Sequence, residues 1–282
     1  MPTTLIHNAE LTTDQRTTLS KHLAGELQDC GSHFRIQHTD TPDHTALEAL
    51  RAKLHLDINT LPTGFDPARV GLLITDMDST LISIECVDEI ADFVGVKPQV
   101  AAITEAAMRG EIDFEASLRQ RVALLKGLDT SALQQVYDER LRLNPGAEIL
   151  IDDLKTRGIK LALVSGGFTF FTDRLKTRLG LDFTLANVLA EQNSQLLGSV
   201  EGAIVGAETK ASYLSALCHE LEIHPSQVVA MGDGANDLKM LAVAGLGVAY
   251  HAKPAVRAQA DATLHQRGLD AVLDMLWIGE HR

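Results

Sequence analysis

Two aspartates one residue apart, Asp76 and Asp78, directly follow the continuous apolar run of residues 70–74. Such a run is typical of a strand that is buried on both faces of a parallel sheet. Open α/β sheets bind their ligands at the carboxyl ends of the strands, where this pair lies. A turn or a helix cap would explain one aspartate there, but it leaves the second unexplained. The pair therefore indicates a chemical role at the end of a buried strand.

Two further apolar runs end in polar, glycine-rich segments. Residues 159–164 lead into Ser165 and Gly166, and residues 228–231 lead into Asp233 within the stretch GDGAND. Because the carboxyl ends of parallel strands meet at one edge of a sheet, these side chains should share a crevice with the aspartate pair. An ordinary strand-to-helix turn is the alternative for Ser165. The alternation of apolar runs with helical patterns predicts an α/β fold.

The carboxylates of this crevice need a counter-charge. Asp76, Asp78, Asp233 and the nearby Asp237 would repel one another and raise one another's pKa values if they were left bare. A hard divalent cation with oxygen ligands removes the repulsion, and Mg²⁺ that keeps several waters suits so few carboxylates. We therefore predict a magnesium site.

The same crevice offers groups that bind an anion. The Ser165 hydroxyl and the N–H groups after it can donate hydrogen bonds, and Lys210 adds a positive charge. Lys155, Lys160 and Lys176 are also available, but Lys210 lies between a predicted hairpin and the strand before GDGAND, which favours it. Such groups around a carboxylate make a phosphoryl-transfer site, in which one aspartate attacks phosphorus and the other carries the proton.

Four motifs carry a resemblance to a known family. The stretch DMDST at residues 76–80, then Ser165, Lys210 and the stretch GDGAND resemble, in order, the four motifs of the haloacid dehalogenase (HAD) superfamily. Within it the closer resemblance is to the phosphoserine phosphatases, through DMDSTLISIECVDEIA, FEASLRQRVALLKGL, LVSGGF and GDGANDLKM. It covers roughly residues 71–282, and LDINTLP resembles the linker of bacterial members with an N-terminal extension. The resemblance implies a HAD-like Rossmannoid parallel sheet with a helical cap inserted after the first strand, plus a small α+β N-terminal domain.

The resemblance also implies a role for each motif residue. Asp76 would be the nucleophile and a metal ligand, and Asp78 the proton donor with its backbone carbonyl on Mg²⁺. Asp233 would be the remaining carboxylate ligand, and Asp237 would support the water shell of the metal. Four residues would hold or assist the phosphoryl oxygens, namely Ser165, Gly166, Lys210 and Asn236.

Specificity should come from the helical cap, about residues 85–143, which is too long for a simple crossover. Phosphoserine carries an ammonium and a carboxylate beside its phosphate, and Glu85 and Arg121 match the positions of the family that bind these groups. Arg121 lies within an apolar helical stripe, which suits bidentate carboxylate capture. The alternative is that Arg121 extends its charged end to solvent or pairs with a protein acid. Met108 and Phe114 are expected to line the pocket or to pack in the core.

Residues 1–65 are predicted to form a small α+β (βαβα) N-terminal domain, and residues 66–282 the phosphatase core. The first helix is predicted over residues 13–27, and Asn144 before Pro145 is predicted to cap a helix. A unit of this size could be regulatory or could support a homodimer, and nothing in it names a ligand.

Composition limits the partners and the compartment. The formal net charge of −13 argues against nucleic acid, because phosphate backbones are held by clustered lysine and arginine. The three cysteines are isolated, which fits a reduced compartment, and neither a signal peptide nor a membrane span is evident. We expect a cytoplasmic protein with a small-molecule substrate and no membrane partner.

The residues leave other functions open. Another HAD phosphatase, or a phosphotransferase that passes the group to an alcohol, would use the same aspartates. A phosphorylated signalling receiver would not need an acid–base group two residues after the nucleophile, so Asp78 argues against it. A non-catalytic sensor whose N-terminal unit binds an amino acid is disfavoured by the intact Asp76, Lys210 and Asp233.

Overall fold

The computed structural model describes residues 1–109 and 111–276, without the side chains of His44 and Met108. The elements of the N-terminal unit are β1 (Thr3–Ile6), α1 (Thr13–His22), β2 (Leu27–Asp29), β3 (Phe34–Gln37), α2 (His44–Leu54) and β4 (Ile58–Thr60). The larger unit begins with strand β5 (Leu72–Thr75). Four helices follow it, namely α3 (Cys86–Phe93), α4 (Lys97–Met108), α5 (Phe114–Ala123) and α6 (Ser131–Gln135). The remaining elements are α7 (Ala147–Thr156), β6 (Lys160–Phe168), α8 (Thr169–Leu179), β7 (Phe183–Gln192), β8 (Gln195–Glu201), α9 (Ala207–Glu220), β9 (Val228–Gly232), α10 (Leu238–Val243), β10 (Leu246–Tyr250), α11 (Pro254–Arg257), β11 (Ala262–Leu264) and α12 (Val272–Leu276).

The larger sheet has the strand order β11-β10-β9-β5-β6-β7-β8, and its strands are parallel except β8. Strand β5 is central, between β6 and β9. Leu73 packs into the apolar layer on one face of the sheet, and Leu72 and Ile74 pack into the layer on the other. This double burial explains the uninterrupted apolar run. The predicted α/β fold with a parallel sheet is confirmed.

The N-terminal sheet has the order β2-β3-β1-β4, with antiparallel pairing throughout. Two of its strands, β2 and β4, are not in the βαβα pattern predicted from the sequence. The predicted helix 13–27 is also too long, because α1 ends at His22 and Leu27 begins β2. Both strands are three residues long and largely polar, so their hydrogen bonds to β3 and β1, rather than their own patterns, define them.

The two sheets are joined through buried polar contacts. The Asp57 carboxylate accepts hydrogen bonds from the backbone N–H groups of His265, Gln266 and Arg267 at 2.8–2.9 Å. Asn59 accepts from the N–H of Thr263 at 2.8 Å and donates to its carbonyl at 2.9 Å. The N-terminal unit is therefore held against the end of β11.

A second junction contact is built on the buried Asp274 of α12. Its two carboxylate oxygens lie 3.0 Å from Nδ1 of His7 and 3.2 Å from Nδ1 of His33. Burial would raise the pKa of Asp274, but the hydrogen bonds and charges of His33 and His7 outweigh it and hold that pKa well below its usual range. The ionised carboxylate is therefore favoured in the folded state.

We expect Asp274→Asn to lower the free energy of unfolding at pH 7 by about 1–3 kcal/mol, because charged hydrogen bonds are lost. Since the folded-state pKa is depressed, the stability gained from ionisation is present above the unfolded-state pKa of about 3.9 and is lost as the pH falls below it. Urea unfolding at pH 7 and at about pH 3 measures both effects. The difference between the variant and the wild type should shrink at the lower pH, and the exposed Asp152→Asn should show no such trend.

The cap lies between β5 and β6 and comprises α3 to α6 with a final helical turn, Val136–Arg140. Its two connections to the sheet run side by side, because Ile82 pairs with Leu143 and the N–H of Ser83 donates to the carbonyl of Arg142 at 2.9 Å. The inserted helical cap is thus confirmed. Among the described residues, no helix is long and apolar enough to cross a membrane.

Candidate active site

The carboxyl ends of β5, β6 and β9 form the floor of the site. The N–H of Asp76, which follows β5, donates to the carbonyl of Met231 on β9 at 3.0 Å. The chain then turns sharply, and Ser79 has a φ of 58°, in the left-handed region. This turn directs Asp76 and Asp78 into the same crevice, and both line a cavity of about 140 Å³.

Lys210 of α9 is the lysine that the structure brings to Asp76. Its Nζ lies 2.6 Å from Oδ1 of Asp76 and 2.6 Å from Oδ1 of Asp237, and its side chain is fully buried. Burial alone would lower the pKa of Lys210, but Asp237 and Asp76 outweigh it and raise the pKa above its usual value. Two other lysines are engaged elsewhere, since Lys155 donates to the carbonyl of Leu179 and Lys160 pairs with Asp182.

Three carboxylates meet beside Lys210. Oxygen atoms of Asp76, Asp233 and Asp237 all lie within 4.8 Å of one another. Burial raises the pKa of Asp76, and Asp237 raises it further. Burial also raises the pKa of Asp233 to about 7, and Asp237 and Glu85 contribute. One lysine cannot balance three carboxylates, so the donor set fits a divalent cation with oxygen ligands.

Asp237 does more than the sequence indicated. Its Oδ1 accepts from Lys210, and its Oδ2 accepts from the N–H of Gly234 at 3.0 Å. The carboxylate therefore fixes both the lysine and the loop that follows β9. Thr80, a motif residue to which the sequence assigned no role, donates to Oδ1 of Asp233 at 3.1 Å.

Asp78 and Glu85 also line the cavity. Oδ1 of Asp78 accepts from the N–H of Cys86 at 3.2 Å, and burial raises the pKa of Asp78 to about 7, with Glu85 contributing. Ser79 donates to Oε1 of Glu85 at 2.7 Å, which orients that carboxylate at the start of the cap. Glu85 thus joins the cap to the turn that carries the aspartates.

The last residues of β6, from Ser165 to Phe168, line the cavity. The hydroxyl of the buried Ser165 accepts from the N–H of Gly167 at 2.8 Å, and Gly166 lines the cavity. A Cβ on Gly167 would lie 2.9 Å from Oδ2 of Asp78, so only glycine lets the backbone come this close. Asn187 of β7, which the sequence did not single out, donates to the carbonyl of Gly166 at 2.8 Å and holds this segment in place.

The cap closes the cavity with apolar side chains and one cation. Phe114, Leu118 and Val87 line it together with Arg121, while the side chain of Met108 lies outside the described residues. Nε of Arg121 donates weakly to the carbonyl of Ser117 at 3.4 Å. Within residues 1–109 and 111–276, no carboxylate lies within 4 Å of the Arg121 guanidinium. Burial lowers the pKa of Arg121, and the charges of Asp88 and Glu85 oppose this from a greater distance.

Asn144 serves a different purpose from the predicted helix cap, which is wrong because α7 begins at Ala147 after Gly146. Its amide nitrogen donates to the carbonyls of Ser79 at 3.3 Å, Thr80 at 2.8 Å and Ile82 at 3.1 Å. The side chain thereby fixes the turn after Asp78 from the second connection of the cap. Its position before a proline predicted a helix cap. Nothing in the sequence indicated its three hydrogen-bond partners, because they are far away along the chain.

The structure thus brings the predicted site residues to one place. Eight line the cavity itself, namely Asp76, Asp78, Glu85, Arg121, Ser165, Gly166, Asp233 and Asn236. Lys210 and Asp237 lie directly beneath it, behind Asp76.

Comparisons with known proteins agree with this geometry. The family model of haloacid dehalogenase-like hydrolases matches residues 70–245. A phosphoserine phosphatase from Polaromonas sp. is 56% identical over 210 residues, which cover 73% of this chain and 89% of that protein. A HAD family hydrolase from Salmonella enterica serovar Typhi superposes with a TM-score of 0.89 at 32% identity, covering 100% of this chain and 99% of that one. An unliganded probable phosphoserine phosphatase from Vibrio cholerae gives a TM-score of 0.84 at 40% identity, covering 98% and 86%.

The fold and the site therefore define a haloacid dehalogenase-like hydrolase. The match to the Polaromonas protein covers most of both chains. The chain belongs to the phosphoserine phosphatase family of these hydrolases.

We expect Asn144→Asp to lower kcat/KM for phosphate-ester hydrolysis by about 10- to 100-fold, because a carboxylate repels three carbonyls and releases the turn that carries Asp78. Steady-state kinetics, with unfolding temperature measured on the same samples, tests this. The matched change Asn193→Asp, in the β7–β8 turn, should leave the kinetics unchanged. Unaltered kcat/KM in Asn144→Asp would show that the residue serves stability alone.

Proposed function

We propose that this protein hydrolyses O-phospho-L-serine to L-serine and phosphate through an aspartyl-phosphate. The observation that carries the proposal is the layout of the cavity. The phosphoryl-transfer groups lie at its floor, and Glu85 and the Arg121 guanidinium lie on the cap side. An acid and a guanidinium are the partners that an ammonium and a carboxylate require.

Asp76 is assigned as the nucleophile. Its Oδ1 is held by Lys210 at 2.6 Å, which leaves Oδ2 to form the bond to phosphorus. Lys210 also places its charge beside the transferred group, and the Ser165 hydroxyl and the Gly166 N–H, with Asn236 nearby, are assigned as donors to the phosphoryl oxygens. The products of this first step are an aspartyl-phosphate and the departing serine oxygen.

Asp78 is assigned as the proton carrier for both steps. With a pKa of about 7, its carboxyl group can be protonated near neutral pH, so it can give its proton to the departing serine oxygen. The resulting carboxylate then takes a proton from the water that attacks the aspartyl-phosphate. Phosphate leaves and Asp76 is regenerated as a carboxylate.

Mg²⁺ is the proposed cofactor, held by Asp76, Asp233 and the backbone carbonyl of Asp78, with Asp237 supporting its water shell. The three clustered carboxylates, and the raised pKa values of Asp76 and Asp233, support a divalent cation at this place. When bound, the ion supplies positive charge that stabilises the oxygens of the phosphoryl group.

We expect Mg²⁺ to raise the free energy of unfolding of the wild type, by about 2.7 kcal/mol at 100 times its Kd, because it relieves carboxylate repulsion. Chelator-treated protein should lose hydrolysis and regain it on addition of Mg²⁺. Thermal unfolding with and without the ion measures the first effect. Asp233→Asn should abolish the Mg²⁺-dependent rise, whereas Asp152→Asn should retain it; an equal rise in both variants would place the ion elsewhere.

The test of substrate is phosphate release from a panel of small phosphorylated metabolites at equal concentration. We expect phosphoserine to be hydrolysed with the highest kcat/KM. Equal rates across the panel would contradict the assignment of substrate. A phosphorylated alcohol formed when homoserine is added would indicate transfer instead of hydrolysis.

Four predictions from the sequence stay predictions. They are the domain boundary between residues 65 and 66, a cytoplasmic location, a regulatory role for the N-terminal unit and a homodimer.

A further inference from the structure

A second cavity of about 140 Å³ lies at the junction between the N-terminal unit and the larger sheet. It shares no residue with the active-site cavity. The N-terminal unit contributes Leu47, Arg51 and Thr60 to it, and the larger unit contributes Arg257, Asp261 and Thr263. We call it the junction cavity. Two guanidiniums, a carboxylate and threonine hydroxyls line it beside a leucine, so both polar and apolar groups face the space.

Arg51 is anchored but keeps donors for a ligand. Its Nε donates to the carbonyl of Ile58 at 2.6 Å, one terminal nitrogen pairs with Glu48, and the other donates to Oδ1 of Asn59 at 3.1 Å. Three of its five N–H groups are thereby used, which leaves two. Its side chain is 13% exposed, so its position is fixed by the protein.

Arg257 approaches Arg51 without a counter-ion. In the part of the chain that the structure describes, no hydrogen bond or ion pair involves the Arg257 guanidinium. Burial lowers the pKa of Arg51, Glu48 and Asp57 oppose this, and the charge of Arg257 lowers it further. Two like charges that face one cavity repel each other, and a carboxylate between them would remove the repulsion.

The charge balance indicates the net charge of the ligand. Arg51 and Arg257 carry two positive charges, and three carboxylates lie near them: Glu48, which pairs with Arg51, Asp57, whose charge acts on Arg51, and Asp261 of the lining. Oδ2 of Asp261 accepts from the N–H of Gly247 at 2.8 Å, which leaves Oδ1 for another donor. A dianion such as phosphate would be repelled by Asp261, whereas a zwitterion places one charge on each side.

We propose that the junction cavity binds a free α-amino acid, with the ligand's carboxylate between Arg51 and Arg257 and its ammonium facing Asp261. The small apolar part of the lining, including Leu47, would contact the amino-acid side chain. Because both units contribute to the lining, the ligand would also tie the N-terminal unit to the larger sheet. This site does not depend on which phosphate ester the active site takes.

The test is calorimetric titration of the full chain with glycine, L-alanine and L-serine, each compared with its methyl ester and its N-acetyl derivative. We expect at least one amino acid to bind the wild type with 1:1 stoichiometry. The control variant Arg178→Gln should bind it with the same affinity. Loss of the carboxylate or of the ammonium should weaken binding at least about tenfold. Arg257→Gln should weaken it similarly while hydrolysis of phosphoserine is retained, which shows that the variant is folded.

Three results would overturn the proposal. The first is the absence of binding by all three amino acids. The second is equal affinity in wild type and Arg257→Gln, which would place the amino acid in the active-site cavity. The third is inorganic phosphate binding as tightly as the amino acids and losing affinity in Arg257→Gln, which would define a plain anion site. Asp261→Asn separates the roles further, because it should weaken the amino acid but not its N-acetyl derivative.

Discussion

Asp76→Asn should abolish formation of the phosphoenzyme and lower kcat for phosphoserine by roughly 10⁴-fold or more, because an amide is a poor nucleophile. The fold should survive. The carboxylate that is removed is one of three clustered beside a single lysine, and Lys210 keeps Asp237 as its partner. Acid-quenched reactions with radiolabelled phosphoserine measure the covalent intermediate, and stopped-time phosphate release measures turnover.

The control for this variant is Asp152→Asn, which makes the same chemical change on the exposed face of α7 and should leave both measurements at wild-type values. Beryllium fluoride, which mimics an aspartyl-phosphate, should bind the wild type and the control but not Asp76→Asn. Normal labelling or turnover in Asp76→Asn would transfer the attacking role to another group, and Asp233 would be the first to examine because it lies in the same carboxylate cluster.

Arg121→Ala should lower kcat/KM for phosphoserine by about 10²-fold, because a charge-assisted contact to the substrate carboxylate is lost. The guanidinium forms no ion pair within 4 Å among the described residues, so its removal breaks no direct ion pair, but Asp88 and Glu85 lose a nearby positive charge. Phosphoethanolamine keeps the phosphate and the ammonium but lacks the carboxylate. Its kcat/KM should change by less than about threefold, and the ratio of the two substrates is the measured quantity.

Arg119→Ala is the matched control, since Arg119 lies on the same helix but is exposed and pairs with Glu115 at i,i+4 spacing. It should leave both substrates unaffected. Arg121→Lys should fall between wild type and Arg121→Ala, because an ammonium keeps the charge but not the bidentate geometry. Equal losses for phosphoserine and phosphoethanolamine in Arg121→Ala would mean that Arg121 positions the cap and does not recognise the carboxylate.

The chemistry of this protein could be read from the sequence because its signals are local. A buried parallel strand is recognisable from an unbroken apolar run, and its end from a turn or glycine. The placement of Asp76, Ser165 and Asp233 at three such ends was enough to predict one shared crevice, and the sheet order places β5 between β6 and β9 as required. Glu85 and Arg121 were found only through the family resemblance, since single charged residues on helices have no distinctive pattern.

Other features were decided by tertiary structure, because their partners are far away in sequence. Asn144 reaches back 62–65 residues to three carbonyls of the turn after Asp78, so a residue that looked like a helix cap fixes the catalytic turn. Asp237 lies 27 residues from Lys210 and supports it directly. Strands β2 and β4 are too short and polar to be recognised before β3 and β1 pair with them. Local sequence patterns indicate which chemical groups lie at the ends of the strands. The orientation of each group depends on long-range hydrogen bonds and charges, which form only when the sheets are assembled.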